Sequence, residues 1–175
     1  MPLPLKGRLG KIAYSMANIG RTGFLQLVGA FMLFFYIDVV HFDPWLAGLV
    51  FLISYGVWNA INDPIIGSLS DRTRTRWGRR RPFMVMGIPL AFLFAILTWS
   101  PPLGGKPLAD SYSLPIFFYV LVVVAIFELG FTMVDIALDA VFPEMWSDVK
   151  ERSEVTVYKE SFSVVGGILA MVVFP

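Results

Sequence analysis

The sequence predicts an all-α protein that crosses a membrane several times, and three observations predict it. Of its 175 residues, 57% are hydrophobic and only 15% are charged, and the mean hydropathy is +0.70. An ordinary soluble domain carries about 25% charged residues, and one this small could not hide so much apolar surface. The apolar residues gather into five long runs rather than alternating with polar ones, as membrane helices require. Between the second and third runs lies a loop with six arginines in ten residues, Arg72 to Arg81, the kind of short basic segment retained on the cytoplasmic side.

The first helix is expected over about 11–40. Asp43-Pro44 then supplies an N-cap acceptor and a proline at the first helical position, which starts a second helix over 44–69. A third is expected over 82–100, where Pro101-Pro102 stops it, and a fourth over 114–142, ended by Pro143. A fifth starts near Val155 and runs to Pro175. The chain is read as the N-terminal part of a longer bundle, about four complete transmembrane helices plus part of a fifth. No soluble domain, low-complexity tract or internal repeat stands out.

Charge sets the expected orientation. Lys6, Arg8, Lys11, the loop arginines, Lys150 and Arg152 fall on one side, and only Lys106 on the other. The N-terminus is therefore expected to be cytoplasmic, in a multi-pass protein of the plasma (inner) membrane. Trp45 and Trp99 are expected at the outer interface, Trp77 and Trp146 at the inner one, with Trp58 mid-helix. A net charge of +1 gives no footprint for nucleic acid, and the absence of cysteine removes disulfides and thiolate metal sites. No cofactor is implied.

Polar residues inside the apolar runs are the candidates for function, because intramembrane ionisable groups are costly and mark transport pathways. The fourth run carries Glu128, Thr132, Asp135 and Asp139 on one narrow helical face. The second carries Tyr55, Asn59, Asn62 and Asp63 within about a third of the circumference. The first carries Asn18, Arg21, Thr22 and Gln26. Asp63 and Asp135 lie about 10 Å from the inner ends of their helices, and Arg21 and Thr22 about 15 Å into theirs. Pro64 follows Asp63 and frees a backbone carbonyl near it. A carboxylate with amide and carbonyl oxygens suits a hard cation; the same residues also suit an interhelical network that only holds the bundle together. Asp139 and Glu128 are assigned to positions nearer the helix ends and are expected to be solvated. In the loop, Asp71 is the one acid. It is expected to pair with Arg79 or Arg81, or to cap a facing helix end, in a cytoplasmic gate that includes Arg72 and Gly78, while Arg74, Arg76 and Arg80 are left to set topology.

Several stretches resemble the glycoside-pentoside-hexuronide:cation symporters of the major facilitator superfamily, the group of the melibiose permease. They are Phe35-Tyr36-Ile37-Asp38-Val39, Asn59-Ala60-Ile61-Asn62-Asp63-Pro64-Ile65-Ile66-Gly67, the loop from Asp71 to Phe83, Thr132-Met133-Val134-Asp135, and Phe142-Pro143-Glu144 with Glu151-Arg152. The resemblance covers nearly the whole chain. It implies a secondary transporter that symports a sugar or glycoside with H+ or Na+ by alternating access, in partnership with the lipid bilayer and a C-terminal half. It implies a cation site of Asp63, Asn59, Asn62 and Thr132, and substrate contacts from Asp135, with Thr22, Arg21, Gln26 and Asp139 on the same polar faces. Three positions depart from the melibiose-type pattern. Asn59 replaces an aspartate, which tilts the expected ion toward a proton. Thr22 replaces a sugar-binding aspartate, which argues against a galactoside. Lys159 and Glu160 stand where a sugar-binding arginine is expected.

Other readings remain open from sequence. Related branches carry lysolipids or other organic solutes. A non-transporting receptor on the same fold is a further possibility. Asn59-x-x-x-Asp63 and Asp135-x-x-x-Asp139 are similar to the acidic motifs of intramembrane magnesium-dependent prenyltransferases, although Gly67 occupies a position where those enzymes need another acid.

Overall fold

Five apolar helical stretches, each long enough to cross a bilayer, account for most of the chain: Arg8–Val39, Pro44–Arg72, Arg81–Thr98, Leu114–Met145 and Val149–Val172. The computed structural model describes residues 7–102 and 113–173. Lys6 and Lys106, which enter the charge count, and the expected end of the fifth helix at Pro175 lie outside the described residues. The regular elements are α1 (Arg8–Phe34), α2 (Pro44–Phe51), α3 (Asn59–Arg72), α4 (Arg81–Thr98), α5 (Ser113–Met145) and α6 (Val149–Val173). Two π-helical segments interrupt the α-helical pitch, Phe35–Val39 after α1 and Leu52–Trp58 between α2 and α3. Nothing in the sequence pattern foretells them.

The local chemistry explains most boundaries. The Asp43 carboxylate accepts hydrogen bonds from the backbone N–H of Trp45 (2.8 Å) and Leu46 (3.1 Å), and Pro44 needs no partner at the first helical position. His41 takes φ 59°, which lets four residues turn the chain between the first two spans. Pro143 lies inside α5, which continues to Met145; a proline in the last turn removes one N–H but leaves the helical φ intact. The last helix begins at Val149, six residues before the apolar run at Val155, because Lys150 to Glu154 form a polar first turn. Glu151 there complements the helix N-terminus.

The chain divides into two compact units, residues 1–34 with 142–175 and residues 35–141. In the first, α1 and α6 run parallel. Lys11 Nζ meets Glu154 at 2.8 Å and Glu151 at 3.5 Å, and Ser15 Oγ reaches the Lys11 carbonyl (2.8 Å) and the Val155 carbonyl (3.4 Å). Further along, Gly166 backs directly onto the Ile19 backbone, and a Cβ on Gly23 would stand 3.1 Å from the Gly166 oxygen. Such small-residue contacts let membrane helices approach closely. Trp146 is fully buried here against Tyr14 and Phe142, so it is a core residue of this unit and not the interfacial ring expected. Packing captured it: the Arg152 Nε donates to its carbonyl at 2.7 Å and folds the short connection between α5 and α6 inward. Lys159 lies over the rings of Tyr14 and Phe142.

In the second unit α4 meets α5 where side chains vanish. A Cβ on Gly130 would lie 2.6 Å from the Ala91 nitrogen, and one on Gly87 would lie 2.7 Å from the Gly130 oxygen. Ile66, Phe83, Met133 and Ala137 form a buried apolar cluster beside this contact. The Tyr36 hydroxyl donates to the Thr98 carbonyl (2.5 Å), which ties the π-helical end of the first span to the end of α4.

Candidate functional site

The second and fourth spans are joined by a ladder of polar contacts, two of whose rungs share one register. The Trp58 indole N–H donates to the Ala125 carbonyl at 2.9 Å. Asn59 Nδ2 donates to Glu128 Oε2 at 3.0 Å. One turn on, Thr132 Oγ1 donates to Asp63 Oδ1 at 3.1 Å. Asn59 with Glu128 and Asp63 with Thr132 share the same sequence separation of 69 residues. The two helices therefore run parallel, with rungs about 6 Å apart. The spacing of polar residues on each helix, four apart on one face, is what makes a ladder possible.

Of the four residues expected at the cation site, the structure joins Asp63 to Thr132 directly and sets Asn59 one rung away. Thr132 is buried, and Asp63 is exposed. Asn62 is buried, and its Nδ2 has no acceptor among the described residues. The carbonyl freed by Pro64 is that of Ala60, inside α3.

Glu128 is the correction. It was expected to be solvated near a helix end. It lies close to the middle of α5 and is 3% exposed, held by Asn59. The Tyr55 hydroxyl sits beside the same carboxylate, short of hydrogen-bond geometry. Glu128 also lies close enough to Asp63 and Asp135 to feel their charge. The position was readable, since the polar face of the fourth run includes it. Its depth comes from the facing span, whose Asn59 lies over it. Asp139, by contrast, is exposed.

The expected substrate contacts divide between the units. Arg21 and Thr22 are partly exposed and Gln26 exposed on α1, and Asp135 is partly buried on α5. In the arginine loop, Asp71 pairs with Arg80, Nη2 to Oδ1 at 3.6 Å. Arg80, set aside as a topology residue, is the partner in place of Arg79 or Arg81. The turn explains the choice. Gly78 adopts φ 98°, open to glycine at no cost, and its N–H donates to the Thr75 carbonyl at 3.0 Å while Thr75 Oγ1 donates to the Gly78 carbonyl at 2.6 Å. This folds the loop back so that Arg80, just before α4, comes beneath the end of α3. Arg72, Arg79 and Arg81 are exposed.

Residues 10–175 match the profile of the family described as MFS/sugar transport protein. The chain belongs to that family. It is a multi-pass membrane protein of the sugar/cation symporter group, in its N-terminal portion, as the motif resemblance implied. The group consists of transporters and not enzymes, which removes the prenyltransferase alternative. Relatives include an uncharacterized symporter of Synechocystis, 35% identical over 94% of this chain. An isoprimeverose transporter of Lactiplantibacillus pentosus is 25% identical over 94% of the chain, and a sodium-dependent lysophosphatidylcholine symporter of Danio rerio is 28% identical over 81%. The matched segments cover 30%, 33% and 26% of those relatives, so the chain spans about a third of their length or less.

Proposed function

We propose that the full-length protein is a secondary active transporter that couples uptake of a sugar or glycoside to a cation, H+ or Na+, by alternating access. The hydrogen bond between Thr132 and Asp63 carries the reading: an accessible carboxylate is held by a neighbouring span, in a membrane region where an acid without a task would be selected against. Asp63, Asn59, Asn62 and Thr132 supply carboxylate, amide and hydroxyl oxygens, the ligand set of a hard cation. Asp135, with Arg21, Thr22, Gln26 and Asp139, supplies the cargo contacts. Cation and cargo are linked because both favour one conformation, which is a coupling free energy. The N-terminus and the arginine loop face the cytoplasm of the inner membrane, and Asp71 with Arg80, in a loop with Arg72, Gly78, Arg79 and Arg81, acts as a gate on that side.

The relation to a sodium-dependent lysophosphatidylcholine symporter supports a second reading in which a lysolipid is the cargo. Thermal stabilisation of the full-length protein by sugars, glycosides, uronates and lysolipids separates the two. The transport reading itself is tested by Asp63→Asn in the full-length protein, with uphill uptake and equilibrium binding measured while pH and Na+ vary separately. Loss of accumulation with retained binding is the expected result. Unimpaired uphill uptake with unchanged ion dependence would leave Asp63 as interhelical glue.

A further inference from the structure

The carboxylate of Glu128 accepts one N–H, from Asn59. An ionised carboxylate offers about four lone-pair sites, and its second oxygen, Oε1, is buried with no donor among the described residues. The other Asn59 atom is fixed by the same contact. A carboxylate can only accept, so Asn59 must turn its amide nitrogen to Glu128 and its Oδ1 elsewhere. That Oδ1 is also buried without a donor among the described residues, and the Tyr55 hydroxyl lies beside the Glu128 carboxylate, short of hydrogen-bond geometry. Interhelical glue pairs donors with acceptors. Here two buried oxygens, Glu128 Oε1 and Asn59 Oδ1, lack a donor among the described residues, with Asp63 from the neighbouring span and Asp135 from α5 adding negative charge. A carboxylate this buried is costly unless it is compensated.

We propose that Glu128 is a direct ligand of the coupling cation, a small hard monovalent ion of the Na+ class. The site then holds two carboxylates, Asp63 and Glu128, one from each of two parallel spans and one helical turn apart. The proposal rests on the cation-coupled reading given above and adds the residue that completes its charge. Asp63 is exposed and Glu128 sealed, so Asp63 receives the ion and Glu128 with Asn59 forms the floor on which it rests. The second carboxylate also reverses the preference for a proton drawn from Asn59, because the acid absent at position 59 is present across the ladder.

Equilibrium binding of radiolabelled Na+ to the purified full-length protein tests this, in the wild type and in Glu128→Gln, Glu128→Asp and Asp63→Asn, each checked for its thermal unfolding midpoint. Glu128→Gln keeps an oxygen for the Asn59 amide and removes only the charge. It is expected to weaken Na+ binding by roughly tenfold or more, the scale of losing even an indirect metal contact. Glu128→Asp keeps the charge on a shorter arm; it should recover part of the affinity and shift the preference between Na+ and Li+. A purely structural role would not move that preference. Wild-type Na+ affinity in Glu128→Gln, with binding lost in Asp63→Asn, would overturn the proposal and leave the Asp63 site standing. Wild-type affinity in Asp63→Asn would overturn the Asp63 assignment instead. A wild type that binds neither Na+ nor Li+ would overturn the metal ion as ligand. Should Glu128→Gln fail to fold, an unchanged Na+ to Li+ preference in Glu128→Asp is the outcome that sinks the idea.

Discussion

The two units treat their polar groups in opposite ways. Where α1 meets α6, Lys11 finds Glu154 and Glu151, the Ser15 hydroxyl finds carbonyls on both helices, and Lys159 rests on aromatic rings. The charges just named are compensated, and those donors have acceptors. Where α3 meets α5, Glu128 Oε1 and Asn59 Oδ1 are buried acceptors with no donor among the described residues. Both interfaces join parallel helices in one membrane protein, so the environment is not the difference. The contacts named at the first interface are mutual, whereas the second leaves two buried oxygens without donors, where the proposed cation would sit. Satisfied polar contacts point to architecture, and half-satisfied ones point to a site.

Asp63→Asn should separate the two most sharply. Cation-driven accumulation in proteoliposomes of the full-length protein is expected to fall by roughly tenfold or more, the size of an ordinary coupling free energy, with little change in thermal midpoint. A large drop in midpoint with uptake preserved would make the second interface architectural too. Next in size is a steric change away from both polar sets. Gly130→Val drives carbon into the Ala91 backbone and should cost about 1–3 kcal/mol of stability, read as a lower unfolding midpoint. An unchanged midpoint would show that α4 and α5 can separate freely.

A smaller effect is expected at the loop. Asp71→Asn removes a pair whose acid is largely exposed, so ligand affinity should hold while turnover slows; Arg80→Gln should match it, and Arg74→Gln should not. Single-turnover and steady-state uptake on the same variants decide this. Equal turnover in all three would reduce the loop to an orientation signal. The smallest effect belongs to Lys11→Met. Glu154 is exposed enough to be rehydrated, so the unfolding midpoint should change little and cation dependence should stay as in the wild type.

The five spans were legible because a run of apolar residues long enough to cross a bilayer has few other uses, and the start at Asp43-Pro44 was legible from capping chemistry alone. The polar faces were legible from helical spacing. What the sequence hid were facts about neighbours. Glu128 and Asp139 look alike on a helical wheel, and only the facing span buries one and leaves the other at the surface. Arg80 looks like the arginines around it, and the four-residue turn from Thr75 to Gly78 selects it. Trp146 carries the composition of an interfacial residue, and Tyr14, far away in sequence, draws it inside.

The π-helical stretch Leu52–Trp58 has a consequence for how this span tolerates insertions and deletions. A π turn carries more residues over a given arc than an α turn. Losing one residue there would tighten the helix and leave its two flanks facing as they do now. The same loss between Asn59 and Asp63 would swing the Asp63 carboxylate by about 100° relative to Asn59, away from Thr132. Length variation among descendants of this gene is therefore expected to collect in the seven residues ahead of Asn59, while the five from Asn59 to Asp63 keep a fixed count.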